Sequence, residues 1–165
     1  MDETFPMTRE HHTPAGARLS SLMLDFFKVN SLLLASGDRL VAGLGLTSAR
    51  WQVLGTIVAS RRPQPVAWLA RDIGASRQNV QRIVNDLERD GLVTFEPNPH
   101  HRRAHLVTLT ETGRTIMQAA MTLQAPWANG LAEGLSVEDI TVVHKAILLL
   151  RRKLESAAGK VDADD

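Results

Sequence analysis

The sequence predicts a mainly α-helical chain with one small β-hairpin, arranged as a helix-turn-helix followed directly by a hairpin wing. Three observations predict it. Apolar residues recur at helical spacing along most of the chain. Two short stretches of that kind, "VAWLARDIG" and "SRQNVQRIVNDLERDG", meet at a glycine, which is the mark of a helix-turn-helix. The period then changes to two on either side of "PNPHHRRA", as expected for two strands and a Pro-containing tip.

The first helix is expected over residues 19–41. Leu19, Leu22, Met23, Phe26, Val29, Leu33 and Leu40 keep helical spacing, and Phe27, Leu32 and Leu34 widen the apolar arc. A helix this apolar around its girth is expected to bury more than one side, against its own core and against a partner. In "LGLTSARWQVLGTIVAS", Thr47 is placed to cap a second helix, with Trp51, Leu54 and Val58 on one face. Pro63 and Pro65 end that pattern. Val66, Leu69, Ala70 and Ile73 then mark a short helix ended by Gly74. Ser76 caps the next, which is built on Val80, Ile83, Val84 and Leu87 and ended by Gly91. Val93 and Phe95 share one strand face, and Val107 and Leu109 another. Thr110 opens a long helix aligning Ile116, Ala120, Leu123 and Trp127, and Gly130 and Gly134 are expected to bracket a turn. Ser136 caps a last helix with Glu138 and Asp139 in its first turn, where the helix dipole favours them.

The chain has 165 residues, 44% of them hydrophobic, enough for one core of its own. Its net charge is +1, so any affinity for nucleic acid must come from where charge sits. Between residues 61 and 103 there are eight Arg against five acids, a local balance of +3. With no cysteine, disulfides, thiolate zinc sites and thiol redox chemistry are excluded. The polar start "MDETFPMTREHHTPAGAR" has no apolar secretory core, and the longest apolar runs, "LLLA" and "AILLL", are short of the roughly 20 residues of a membrane span. A cytoplasmic location and no membrane partner are therefore expected. Residues 1–18 and 157–165 read as flexible.

The chemistry lies on the second helix of the helix-turn-helix. Its apolar stripe leaves Gln78, Gln81, Arg82, Asn85 and Arg89 roughly opposite, with Arg77 and Asn79 beside the first turn. Arg pairs with guanine edges and Gln or Asn with adenine, while free backbone N–H groups at the helix start suit a phosphate. The plain alternative is a solvated helix face, and Asp86, Glu88 and Asp90 favour it toward the C-terminal end. DNA contacts are thus expected in the N-terminal half. Arg102 and Arg103 at the hairpin tip supply a second contact, since an Arg suits a narrow minor groove. One such module binds weakly, and a two-fold dimer on a pseudo-palindromic site doubles the contacts.

"LTSARWQVL", "LARDIGASRQNVQRIVNDLERDGLV", "NPHHRRAHLVTLTETG" and "LSVEDI" together resemble the multiple-antibiotic-resistance regulator (MarR) family, over about residues 19–154. The resemblance implies a homodimeric winged helix-turn-helix regulator of transcription with a helical dimerisation region. Residues 19–43 and 111–156 would form that region and 44–110 the DNA-binding part. It further implies a repressor released by a small, often aromatic ligand bound between those parts. By position, Ser76, Arg77, Gln78, Gln81 and Arg82, with Asn79 beside them, match the DNA-reading start of the recognition helix. Arg103 matches the wing arginine that enters the minor groove, and Arg102 is its basic neighbour. Phe26, Phe27 and Trp51 are the residues expected near an effector cavity. Trp68 and Trp127, like Trp51, read as core residues.

Other readings stay open: a winged-helix module that binds protein, or a DNA-binding protein without effector control. An enzyme is not expected, because no phosphate-cradling glycine loop, GxSxG or HExxH occurs. No cofactor or metal site is expected either. The pairs His11–His12 and His100–His101 are adjacent, so their side chains diverge.

The wing departs from the family's usual Asp-Pro-x-Asp-Arg-Arg by carrying Asn98 and His101 at the two Asp positions. Asn98 still suits an Asx turn before Pro99. His101, when neutral, lacks the charge that would orient the arginine, and when protonated adds a third positive group to the tip. Affinity for a labelled duplex is therefore expected to rise as pH falls toward about 6. Equal affinities across that range would contradict this role for His101.

Overall fold

The computed structural model describes residues 12–60 and 62–161, the last four as backbone only. It divides into two units, Met1–Leu123 and Gln124–Asp165. The first holds α1 (Pro14–Val41), a short 3-10 turn at Ala42–Leu44, α2 (Ser48–Ala59), β1 (Gln64–Pro65), α3 (Val66–Ile73), α4 (Arg77–Arg89), β2 (Val93–Glu96), β3 (Leu106–Leu109) and the start of α5 (Glu111–Ala132). The end of α5 and α6 (Val137–Val161) form the second.

α1 starts earlier than expected. The Thr13 side chain accepts a hydrogen bond from the Gly16 N–H at 3.0 Å, and Pro14 follows it at the first helical position. This cap and its proline draw residues 14–18 out of the expected flexible segment. The remainder of that segment, residues 1–11, lies outside the described residues. α6 likewise continues to Val161, beyond the expected boundary at residue 156, and residues 162–165 are not described.

Along α1 only Gly37 and Val41 are buried. Leu24, Phe27 and Leu32 are each at least 60% exposed. The sequence leads one to expect burial on more than one side, yet within its own unit this helix is seated only by its C-terminal end. By length and composition alone, Pro14–Leu44 also meets the criterion for a membrane span, one that core helices of soluble proteins meet as well. Its C-terminal end instead belongs to the core built by the helices after it, with Val41 fully buried among them.

That core gathers Leu46, Val53 and Leu54 from the α2 region, Leu69 from α3, the stripe of α4, Val93 and Val107 from the strands, and Met117 and Ala120 from α5. Val58 is 49% exposed, so the buried side of α2 runs through Val53 and Leu54 instead of ending at Val58. The strand faces are as expected. β2 pairs antiparallel with β3, with Val93 opposite Leu109 and Phe95 opposite Val107. The sheet has a third strand that the sequence did not suggest: β1 pairs with the other edge of β3, Gln64 opposite Val107 and Pro65 opposite Leu106. A two-residue strand has no period to read, and a proline at an edge sacrifices no interior ladder bond.

The start of α5 locks the base of the hairpin. The Thr110 hydroxyl donates to the Gly91 carbonyl at 2.6 Å and accepts from the Gly113 N–H at 3.0 Å, while the Thr110 N–H donates to the Leu92 carbonyl at 3.1 Å. A Cβ at position 113 would stand 1.9 Å from the Leu92 carbonyl oxygen. α5 then runs on through Pro126 and Gly130 to Ala132, so only Gly134, at φ +81°, marks the turn that two glycines were expected to bracket.

Gly113→Ala is expected to destabilise the protein by about 1–3 kcal/mol through overpacking against that backbone. Urea unfolding measures this, and a midpoint equal to wild type would contradict the close approach.

Candidate nucleic-acid interface

The helix-turn-helix is closed by local chemistry. Gly74 adopts φ +75°, a left-handed conformation that side chains disfavour, and its N–H caps the end of α3. Two residues later the Ser76 hydroxyl accepts from the Asn79 N–H at 3.3 Å and opens α4. Val80, Ile83, Val84 and Leu87 are each at most 5% exposed. The opposite face is therefore turned to solvent: Arg77, Gln78, Asn79, Arg82 and Asn85 are exposed, and Gln81 is half-buried.

The polar groups on this face divide along the helix. Toward the C-terminal end, Asp86 contacts the Arg89 guanidinium and lies 3.8 Å from that of Arg82. Arg82 also donates to Asn79 Oδ1 at 3.1 Å, and Gln81 donates to Asn85 Oδ1 at 2.8 Å. Among the described residues no carboxylate pairs with Arg77. The N-terminal half thus offers uncompensated positive charge and amide groups, as the sequence suggested, and Asp86 offsets the C-terminal half.

Asn98 builds the wing tip. Its Oδ1 accepts from the His100 N–H at 3.0 Å, the expected Asx turn. Its Nδ2 donates to the Ala104 carbonyl at 2.9 Å, across the loop. An aspartate could make the first bond and not the second. Backbone bonds from His101 to the Asn98 carbonyl at 3.2 Å and from Ala104 to the His101 carbonyl at 3.0 Å complete the tip. His101, Arg102 and Arg103 are exposed, and no carboxylate pairs with either arginine among the described residues.

Between α4 and the wing lies a groove of about 730 Å³. Arg77 and Gln81 line it from the helix, Arg103 and three histidines, His100, His101 and His105, from the wing, and Arg62 and Trp68 from the chain around β1 and α3. Among the described residues no Asp or Glu lines it. Trp68, read from sequence as core, is 42% exposed. Sequence reasoning missed both Arg62 and Trp68, because an isolated tryptophan at helical spacing looks like packing. The position of Trp68 beside the buried pair Leu69 and Ala70, off their stripe, was the available signal.

Phe26, Phe27 and Trp51 are not brought together around a described cavity. Phe27 is 71% exposed, Phe26 is half-buried, and Trp51 packs on the core. A second groove, of about 740 Å³, is lined instead by Ile57, Val58, Leu109, Met117 and Met121, with Arg62 and Arg114. Among the described residues no three His, Asp or Glu side chains gather closely enough to hold a metal ion.

A capped helix that buries one stripe and presents Arg, Gln and Asn on the other, next to an arginine-tipped wing, defines a winged helix-turn-helix protein of the DNA-binding kind. Residues 44–104 match the model of the MarR family. The chain is 32% identical over 155 residues to the transcriptional activatory protein BadR of Rhodopseudomonas palustris, covering 87% of this chain and 86% of that one. It is 44% identical over 101 residues to the uncharacterized protein Rv2011c of Mycobacterium tuberculosis, covering 61% of this chain and 69% of that one. The chain belongs to the MarR family of transcription regulators. Its fold is also that of M. tuberculosis MosR in complex with DNA (TM-score 0.71, 24% identity, 82% of this chain and 96% of that one). CouR from Rhodococcus jostii RHA1, bound to p-coumaroyl-CoA, shares it as well (TM-score 0.67, 23% identity, 83% and 91%). BadR and MosR both carry the names of transcription regulators.

Asn98→Asp keeps the Asx acceptor and removes the donor to Ala104. Faster amide hydrogen exchange at His101 and Ala104 is expected, with exchange at Val107 unchanged. Equal rates at the wing would show that the cross-loop bond does not order it.

Proposed function

We propose that this protein is a homodimeric, sequence-specific transcription regulator that grips a pseudo-palindromic operator with two recognition helices and two wings. Ser76, Arg77, Gln78, Asn79, Gln81 and Arg82 meet the major groove, and Arg102 and Arg103 the adjacent minor groove. The acid-free groove between α4 and the wing carries this reading, because a solvated helix face gives no reason for the wing arginine and the helix arginine to share a surface that excludes carboxylates. The MosR structure, solved with DNA, supports the same mode of use.

Dimerisation is supported by apolar surface that each unit leaves uncovered. Leu24, Phe27 and Leu32 lie along α1, and Leu131, Leu135, Val142 and Leu149 lie in the second unit. Patches of this extent mark surfaces that bind another protein, and a second copy is the occupant proposed. The dimerisation segments and the central DNA-binding part are proposed over the boundaries given from sequence, adjusted where α1 and α6 run longer.

Control is proposed to be by population shift. A small ligand that binds better to a dimer with its recognition helices misplaced weakens the hold on DNA by that difference in binding free energy. CouR, bound to an aromatic acyl thioester, supports an aromatic effector, with Phe26, Phe27 and Trp51 as its proposed neighbours. Repression relieved by the ligand is the reading preferred. The name of BadR, an activatory protein, favours a second one in which the same DNA contact promotes transcription.

Replacing Gln78, Gln81 and Arg82 together by Ala is expected to abolish binding to DNA from upstream of the protein's own gene in a gel-shift at fixed salt. Dimer mass by light scattering should not change. Arg82→Ala alone is expected to cost about 1–3 kcal/mol if it reads a base. Full binding by the triple variant would overturn the assignment of the recognition helix.

A further inference from the structure

Three residues outside the recognition helix and the wing tip share a distinctive arrangement. The guanidinium of Arg62 lies 5.8 Å from the centre of the Trp68 ring, and that of Arg71 lies 5.7 Å from it. Both distances are within reach of a cation–π contact. Trp68 is off the buried stripe of α3, so the core does not require it. Arg62 has no carboxylate partner among the described residues. Arg71 has only its neighbour Asp72, at 3.8 Å with both side chains exposed, a pair that offsets little charge.

Their location gives the arrangement a use. When a recognition helix fills a major groove and a wing fills the next minor groove, the sugar–phosphate strand that separates those grooves has to pass between helix and wing. The groove lined by Arg62, Trp68, Arg77 and Arg103, with no carboxylate among its described lining residues, has the position of that passage. The first helix of a helix-turn-helix crosses the same backbone.

We propose that Arg62, Trp68 and Arg71 form a backbone clamp on this strand. Arg62 binds a phosphate inside the groove, and Arg71 binds one outside it on the α3 side. The Trp68 ring touches neither phosphate. It holds both guanidiniums over its face, so that less side-chain freedom is lost when DNA arrives. The clamp rests on the DNA-binding reading above and adds affinity without sequence preference, because phosphates are alike at every step.

The test is the salt dependence of binding, read by fluorescence anisotropy. Two duplexes are used: one that the wild-type protein selects from a random-sequence pool, and one that it does not enrich. Arg62→Ala and Arg71→Ala are each expected to lower the slope of log affinity against log salt by about 1, on both duplexes alike. At physiological salt each should weaken binding by roughly 3- to 10-fold. Trp68→Ala should weaken binding with a smaller change in slope, and Trp68→Phe, which keeps an aromatic face, should retain most of the affinity. Thermal melting and dimer mass of the two arginine variants should match wild type, since both side chains are on the surface. An Arg62→Ala/Arg71→Ala double variant with wild-type slope and affinity overturns the clamp and leaves the DNA-binding reading standing. A loss confined to the selected duplex also overturns it, because that is base reading. A wild-type protein that enriches no duplex from the pool, and binds none of those it is offered, overturns both.

Discussion

The polar face of α4 is aimed by how the helix is seated. Val84 and Leu87 are fully buried, Val80 and Ile83 nearly so, and the helix packs against α2, α3 and β2. Successive residues of a helix are turned by about 100°, so a slip of one position would carry Gln81 into the core and expose an apolar residue. The buried stripe therefore fixes rotation as well as position. The ends are held too: Ser76 caps the start, and at the finish the Arg50 guanidinium donates to Asp90 at 2.5 Å and to the Gly45 carbonyl at 3.1 Å. Arg50 is only 20% exposed, which makes this link less screened than the surface pairs elsewhere on the helix. The exposed Arg, Gln and Asn side chains of α4 are thus aimed by apolar residues on its opposite face.

Besides Val41, which is buried in the core, Ser48 ties the long first helix to the elements that follow it. Ser48 opens α2, its N–H donating to Asp38 Oδ1 at 2.6 Å and its hydroxyl to the Leu34 carbonyl at 2.7 Å. Asp38 thus serves as an anion at a helix start supplied by another helix. Ser48 is 5% exposed, and α1 approaches it at Gly37, where a Cβ would stand 2.5 Å from the serine oxygen. α1 thus touches the N-terminus of α2, and α2 packs on α4.

What the sequence made legible was what local rules decide. Caps at Thr47, Ser76, Thr110 and Ser136, the stop at Gly74 and the two strand faces follow from a few neighbouring residues and from period. The parts that escaped depend on contacts between distant segments or on weak local signals. β1 exists because Gln64 and Pro65 meet β3, some forty residues later. The start of α1 turned on a single Thr-Pro pair. Gly130 looked like a boundary, yet a glycine costs a helix only about 1 kcal/mol and α5 continues through it. Trp68 was assigned inward by residue type, and its exposure follows only from the stripe chosen by Val66, Leu69 and Ala70. The exposure of the polar face of α4 and of the wing arginines was legible from the residue pattern. The groove that joins them was not, because it depends on the fold of the wing about Asn98.

The central claim is that α4 and the wing hold adjacent grooves of one duplex. It is tested most directly by footprinting wild type and Arg103→Ala on the same selected duplex, with hydroxyl radicals for the backbone and dimethyl sulfate for major-groove guanines. The account predicts that Arg103→Ala loses hydroxyl-radical protection only at the minor groove next to each half-site, and keeps the protected guanines. An Arg103→Ala footprint identical to wild type, or loss of guanine protection with the minor groove still covered, would contradict it.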